Sequence, residues 1–199
     1  MLRDEVINEL IGNKRFREYS RPIPNSDRME TLEVYRFDLH FRSLVMKALS
    51  VIEISLVTHL QNSGSDRKFS SFGDARRGLA EIAPKDQYVF ATRFGLRNQR
   101  ELKSCFIHLN HLRNRVAHHE RVWNCQNKFS LPKVENSRIL ETYGVAKNPF
   151  VTAASMNLLV QMLTMLPPLF DFESEFEELL ARTALDRCFL LKNMGFEVP

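Results

Sequence analysis

The chain has 199 residues, 28 Lys and Arg against 24 Asp and Glu, a formal net charge of +4 and 44% hydrophobic residues, which suits one soluble globular domain with a real core. No apolar run reaches the roughly 18 residues needed to span a bilayer, and Met1-Leu2-Arg3-Asp4-Glu5 lacks the basic start and apolar block of a signal peptide, so no membrane and a cytoplasmic location are expected. Cys105, Cys125 and Cys188 show no metal-ligand spacing and leave one unpaired, so reduced thiols, no metal and no cofactor are expected.

Residues near 4–19 read as a short helix carrying Val6, Leu10, Ile11 and Phe16, broken by Pro22 and Pro24. Asp27-Arg28-Met29-Glu30 has the form of a capping box, and a long helix follows to about Gln61. Val34, Phe37, Phe41, Leu44, Ala48, Ile52 and Leu56 mark its stripe at helical spacing. Leu39, Val45, Leu49, Val51 and Ile54 make it apolar over much of its circumference, as expected of the central helix of a bundle. After the Asn62-Ser63-Gly64-Ser65 loop, a helix is predicted from Ser71 to about Ala83 and another from Asp86 to Phe94, ended by Gly95. Asn98-Gln99-Arg100-Glu101 is a second capping box and opens a helix through Leu102, Cys105, Phe106, Leu109, Leu112 and Val116. Residues 125–147 read as a long loop. Asn148-Pro149 reads as the start of a helix running to Leu166 and stopped by Pro167-Pro168, and Ser174-Glu175-Phe176-Glu177 as the start of a last helix toward Lys192. With few glycines and prolines between the apolar-periodic stretches, the fold class is all-α, one domain over 1–199: a short N-terminal helix and linker over 1–29, then a core over 30–196.

The stretch Leu112-Arg113-Asn114-Arg115-Val116-Ala117-His118-His119-Glu120-Arg121-Val122-Trp123-Asn124 carries the chemistry, on about three turns of predicted helix. Histidine titrates near neutral pH and can take and give a proton. Arginine is a fixed cation able to hold a phosphate through two hydrogen bonds. Together they are what RNA cleavage without a metal requires. Basic residues crowd the middle third, among them Arg97, Arg100, Lys103 and Arg121, which suits an anionic polymer; a solvated helical face would look the same. His108 and His111 lie one turn apart, but no third or fourth ligand has zinc spacing.

Arg113-Asn114, three residues, then His118 resembles the R-N-x-x-x-H signature of HEPN ribonucleases. The fuller string to Trp123-Asn124 resembles the Abi-like (AbiD/AbiF-type) abortive-infection family. Tyr35-Arg36-Phe37-Asp38, Phe41-Arg42, Ile52-Glu53, Phe72-Gly73, Phe94-Gly95-Leu96 and Met194-Gly195-Phe196 agree with it. The resemblance implies a HEPN-type bundle with the motif helix packed against the long helix, and a metal-independent endoribonuclease acting as a toxin or antiviral-defence effector. Its partners would be RNA, a second copy of the chain, and a neutralising antitoxin or RNA. A non-catalytic HEPN-type RNA-binding or interaction module is the alternative.

Arg113, Asn114 and His118 are then the catalytic candidates, with His119, Arg115 and His111 as accessory groups and Arg121, Lys103, Arg100 and Arg97 as RNA contacts. His118 is read as base or acid, against a plain surface histidine. Arg113 is read as a phosphate clamp, or as the ion-pair partner of Glu53. Glu53 interrupts an apolar helix and is expected to be buried and paired, with Arg113 first and Arg42 second. Trp123 and Asn124 are expected to close the motif helix against the bundle. On an ideal helix Arg113 and His118 stand about 140° apart, which favours a homodimer with the motif helix at its interface.

Overall fold

The computed structural model describes residues 11–23, 25–63, 68–69, 71–131 and 148–198. Eight helices and no strand occur among them: α1 Asn13–Ser20, α2 Arg28–Asn62, α3 Phe72–Glu81, α4 Pro84–Arg93, α5 Gln99–Ala117, α6 Thr152–Thr164, α7 Phe172–Arg182 and α8 Arg187–Met194. The chain is all-α. Of the expected first helix, residues 4–10 lie outside the described residues, as do Pro24, Gly64, Ser65 and most of the 125–147 loop.

Helix α2 starts where the capping box puts it, with the Asp27 carboxylate accepting the Glu30 amide at 2.8 Å. Its whole predicted stripe is buried, and α1, α3, α5, α6 and α7 pack around it. The rest of its circumference divides: Val45 and Leu49 are buried, but Leu39 and Ile54 face solvent. By length and composition α2 could cross a bilayer; in this fold its apolar face is the centre of the core.

Several boundaries differ from the sequence reading, the start of α7 among them, at Phe172 and not Ser174. Pro84 opens α4 at its first turn, where its missing N–H costs nothing. Helix α6 begins at Thr152 and not at Pro149, because Val151 bridges to Gln126 and the Phe150 carbonyl accepts the Asn127 amide at 2.5 Å. The single last helix is two, α7 and α8. Thr183 is extended, and the Asp186 carboxylate caps α8 by accepting the Phe189 amide at 2.6 Å. Helix α8 ends on Gly195 at φ +95°, where a Cβ would stand 2.5 Å from Val151 Cγ2. That position needs glycine for both reasons.

The core is mostly apolar, and one of its polar seams lies between α5 and α6. His108 is 2% exposed and its Nε2 lies 3.0 Å from Ser155 Oγ, which donates to Asn127 Oδ1 at 3.1 Å. His108 Nδ1 has no hydrogen-bond partner among the described residues. Burial, with smaller contributions from His111 and Arg115, pushes the His108 imidazole down to about 4. The folded state therefore holds His108 neutral, while the unfolded chain protonates it near 6.5. Stability from this residue is complete above about pH 6.5 and is lost as pH falls toward 4. In urea unfolding, the stability gap between wild type and His108→Gln should shrink by on the order of 3 kcal/mol between about pH 7 and pH 4. A gap independent of pH would mean that His108 is not held neutral.

Candidate active site

The motif does not run as helix to Asn124: α5 stops at Ala117. The turn that follows is built from its own backbone. His118 caps the helix and its amide donates to the Asn114 carbonyl at 2.9 Å; the His119 amide donates to Val116 O at 3.0 Å and the Glu120 amide to Arg115 O at 2.9 Å. This is the Schellman pattern, in which a left-handed residue lets the last carbonyls find donors. Here that residue is His119, at φ +58°, where glycine is usual. A side chain in that conformation costs roughly 1–2 kcal/mol, and the strain falls on one of the two adjacent histidines. Where a hydrophobic contact often spans such a turn, Arg115 and Glu120 make an ion pair at 3.7 Å. His118, His119 and Asn114 are exposed, and Arg115 is half-buried.

The chain beyond the turn is held from below by one carboxylate. Asp38 of α2 is fully buried, and its Oδ1 accepts the amides of Val122 at 3.0 Å and Trp123 at 2.6 Å. Its Oδ2 accepts the Tyr19 hydroxyl from α1 and lies 3.0 Å from Arg42 Nε. Arg42 in turn sits over the Tyr35 ring, and Tyr35 meets Tyr19 edge to face. Burial pushes the Asp38 carboxyl above the usual carboxylate range, against the pull of Tyr19, the Trp123 amide, Arg42 and the Val122 amide. Burial, then the Asp38 charge, pushes the Tyr19 phenol up, which keeps it a donor.

This hub corrects one expectation. Glu53 is half-buried and makes no ion pair or hydrogen bond among the described residues, with Arg113 or with Arg42. The buried acid of α2 is Asp38, and Arg42 belongs to it. Measured from the centre of the buried stripe on an ideal helix, Asp38 lies about 60° away and Glu53 about 120°, so burial falls on the former.

The other candidates separate. Trp123 is fully buried, donates from Nε1 to Leu190 O at 3.2 Å, and packs on Phe189. Asn124, at φ +47°, donates to Asn193 Oδ1 at 3.2 Å. Arg121 clamps backbone: it donates to the Glu18 carbonyl of α1 and, at 3.2 Å, to Asn124 O. Its guanidinium braces two segments. Arg97 is tied to Glu101, with Nη2 at 2.6 Å. Arg100 and Lys103 are exposed on α5. His111 is half-buried and edge-on to Phe129. Arg113 is half-buried, without an ion pair among the described residues.

A cleft of about 750 Å³ opens at the histidine turn. Its lining takes His118, His119, Arg115 and Arg121 from the motif and Lys14 and Arg15 from α1, with Glu18 and Glu120 as its carboxylates. Arg113, Asn114 and His111 do not line it. The cleft therefore joins a cation three residues before His118, not five, to both histidines. Among the described residues no three His, Cys, Asp or Glu side chains come together as a metal site would need. Asp38, Tyr19, Lys14 and Arg15 were not singled out from sequence. Only Asp38 carried a signal, as the last residue of the Tyr-Arg-Phe-Asp element.

The family model described as Abi-like protein matches residues 67–124. The match takes in Phe72-Gly73, Phe94-Gly95-Leu96 and the whole motif string to Asn124, so the Abi-like resemblance read from those residues holds. Neither a curated protein nor a solved structure matches the chain.

Two substitutions test this architecture. Asp38→Ala removes one member of a buried ion pair and strands two amides, and should cost about 3–5 kcal/mol in urea unfolding; Tyr19→Phe, losing one bond to a charged group, should cost about 1.5–3 kcal/mol. A loss for Asp38→Ala no larger than that of a surface substitution would show that the hub does not hold the fold. At the turn, His119→Gly should be more stable than His119→Ala by about 1 kcal/mol, because only glycine takes the left-handed conformation without strain. Equal stability would mean that the turn is not left-handed in solution.

Proposed function

We propose that this chain, Abi-like over residues 67–124, is a metal-independent endoribonuclease of HEPN type acting in abortive infection or as a toxin. The observation that carries the reading is the exposed His118–His119 turn at the mouth of a cationic cleft. His118 takes the proton of a ribose 2′-hydroxyl, and the freed oxygen attacks the adjacent phosphorus. The bond to the 5′-oxygen breaks, and that oxygen receives a proton from a second imidazole. An arginine offsets the extra negative charge of the transition state. Each proton transfer is worth about 100- to 10,000-fold.

In-line attack needs base and acid on opposite sides of the phosphorus. One turn carries both histidines on the same side. A two-fold dimer through the exposed face of α5, where Lys103, Ile107, Asn114 and His118 follow one another along the helix, supplies the second set. It would also bring Arg113 and Asn114 of one copy toward His118 of the other.

The absence of Arg113 and Asn114 from the His118 cleft favours a second reading, a non-catalytic RNA-binding or interaction module. One experiment separates the two. Under the first, RNA is cut in excess EDTA, products end in a 2′,3′-cyclic phosphate, and a 2′-deoxy residue at the cut site resists. His118→Ala should lower the rate by about 100-fold or more. Mixing inactive Arg113→Ala and His118→Ala chains should restore part of the activity. Cleavage that disappears in EDTA and returns with zinc or magnesium, or is unchanged in His118→Ala, rejects the mechanism; RNA binding without cleavage selects the second reading.

A further inference from the structure

We infer that α1, outside the Abi-like segment, is the substrate-holding wall of this site: Lys14 and Arg15 grip the phosphates of single-stranded RNA running past the His118–His119 turn. The inference rests on the ribonuclease reading for its substrate and adds to it where that substrate is held.

Three observations converge on α1. First, of the cations expected to meet RNA, Arg121 is bound to two backbone carbonyls and Arg97 to Glu101, while Arg100 and Lys103 are exposed on α5 but do not line the cleft. Lys14 and Arg15 form no ion pair among the described residues, and both line the cleft. Second, α1 is registered to the turn by rigid contacts. The Glu18 carbonyl receives Arg121, Tyr19 donates to the carboxylate that holds Val122 and Trp123, and Arg28 of α2 lies over the Phe16 ring. The two cations are thus fixed relative to the histidines. Third, the cleft, about 750 Å³, is lined by four cations and two carboxylates, and once the Arg115–Glu120 pair is set aside three cations face one carboxylate. That size lies within the roughly 300–1,000 Å³ of ligand sites, and an open polyanion can pass through it without burying a base. An acidic protein would need a broader surface than this.

The test uses the full chain and a fluorescent 2′-O-methyl oligonucleotide of mixed sequence, about 12 nucleotides long, which cannot supply the attacking hydroxyl. Binding is measured by anisotropy across a salt series for wild type, Lys14→Ala/Arg15→Ala, and a control pair on α4, Lys85→Ala/Arg93→Ala; thermal unfolding checks that each is folded. The α1 pair should bind about tenfold more weakly or worse at about 100 mM salt, and its salt slope should be shallower by about 1.4, the value for two lost single-strand contacts. The control pair should match wild type. With cleavable RNA, KM should rise more than kcat falls. An α1 pair that binds like wild type, or loses no more than the control, overturns the proposal and leaves this wall to an acidic protein. Binding that needs Lys14 and Arg15 in a protein that never cuts RNA upholds the wall and rejects the nuclease reading; cleavage indifferent to the α1 pair does the reverse.

Discussion

Taking a carboxylate out of water costs several kcal/mol unless its charge and lone pairs are met. Asp38 is fully buried, and four donors meet it: the Tyr19 hydroxyl, the Arg42 guanidinium and the amides of Val122 and Trp123. The donors come from three separate parts of the chain. The cost of burying the acid is therefore offset only when α1, α2 and the segment after the motif helix are all in place. That makes the position of the histidine turn conditional on the fold of the N-terminal third, though the turn itself belongs to the middle of the sequence. The apolar stripe of α2 brings the helices together, but apolar contact alone would allow the 118–125 segment several positions. The directional bonds to Asp38, with Thr152 Oγ1 donating to Val122 O at 2.9 Å and accepting the Cys125 amide at 3.1 Å, select one.

The helices that were legible in the sequence were those with a local cause. Asp27 and Asn98 cap their helices through their own side chains, and the stripe from Val34 to Leu56 is buried along its length. The boundaries that shifted depend on partners far along the chain: Val151 is drawn out of α6 by Gln126, and α5 is ended by bonds that the 119–120 amides make only once the chain turns. Periodicity cannot register such partners. The same limit applied to the buried acid. That α2 should hide a paired carboxylate was readable from composition, but which one depended on tens of degrees of helical phase and on two amides 84 and 85 residues away.

For the candidate site, the types of residue were legible and their grouping was not. The spacing of Arg113 and His118 leads to a site formed by those two. In the folded chain the cleft pairs His118 with Arg115: the bond from the His118 amide to Asn114 O keeps His118 in helical register, where a residue three back lies about 60° away and one five back about 140°. Lys14 and Arg15 had no local mark at all. They matter only because α1 folds back on the turn, and that contact is written in Tyr19 and in the carbonyl of Glu18, not in the cations themselves.

This arrangement divides the motif between two tasks that need opposite environments. Val122 and Trp123 are buried and Asn124 is half-buried, and all three are bonded, so they fix a backbone. His118 and His119 are turned outward and exposed, which is what a group exchanging protons with solvent requires. Burial does the reverse to His108 on the same helix: pushed down to about 4, it stays neutral at physiological pH and serves the core. The strained conformation of His119 sits where the chain passes from exposed histidines to buried scaffold within a single turn. Strain of that kind persists only where the surroundings over-determine it. Here they do: the Arg115–Glu120 pair and the α5 carbonyls hold one side of the turn, and Asp38 holds the other.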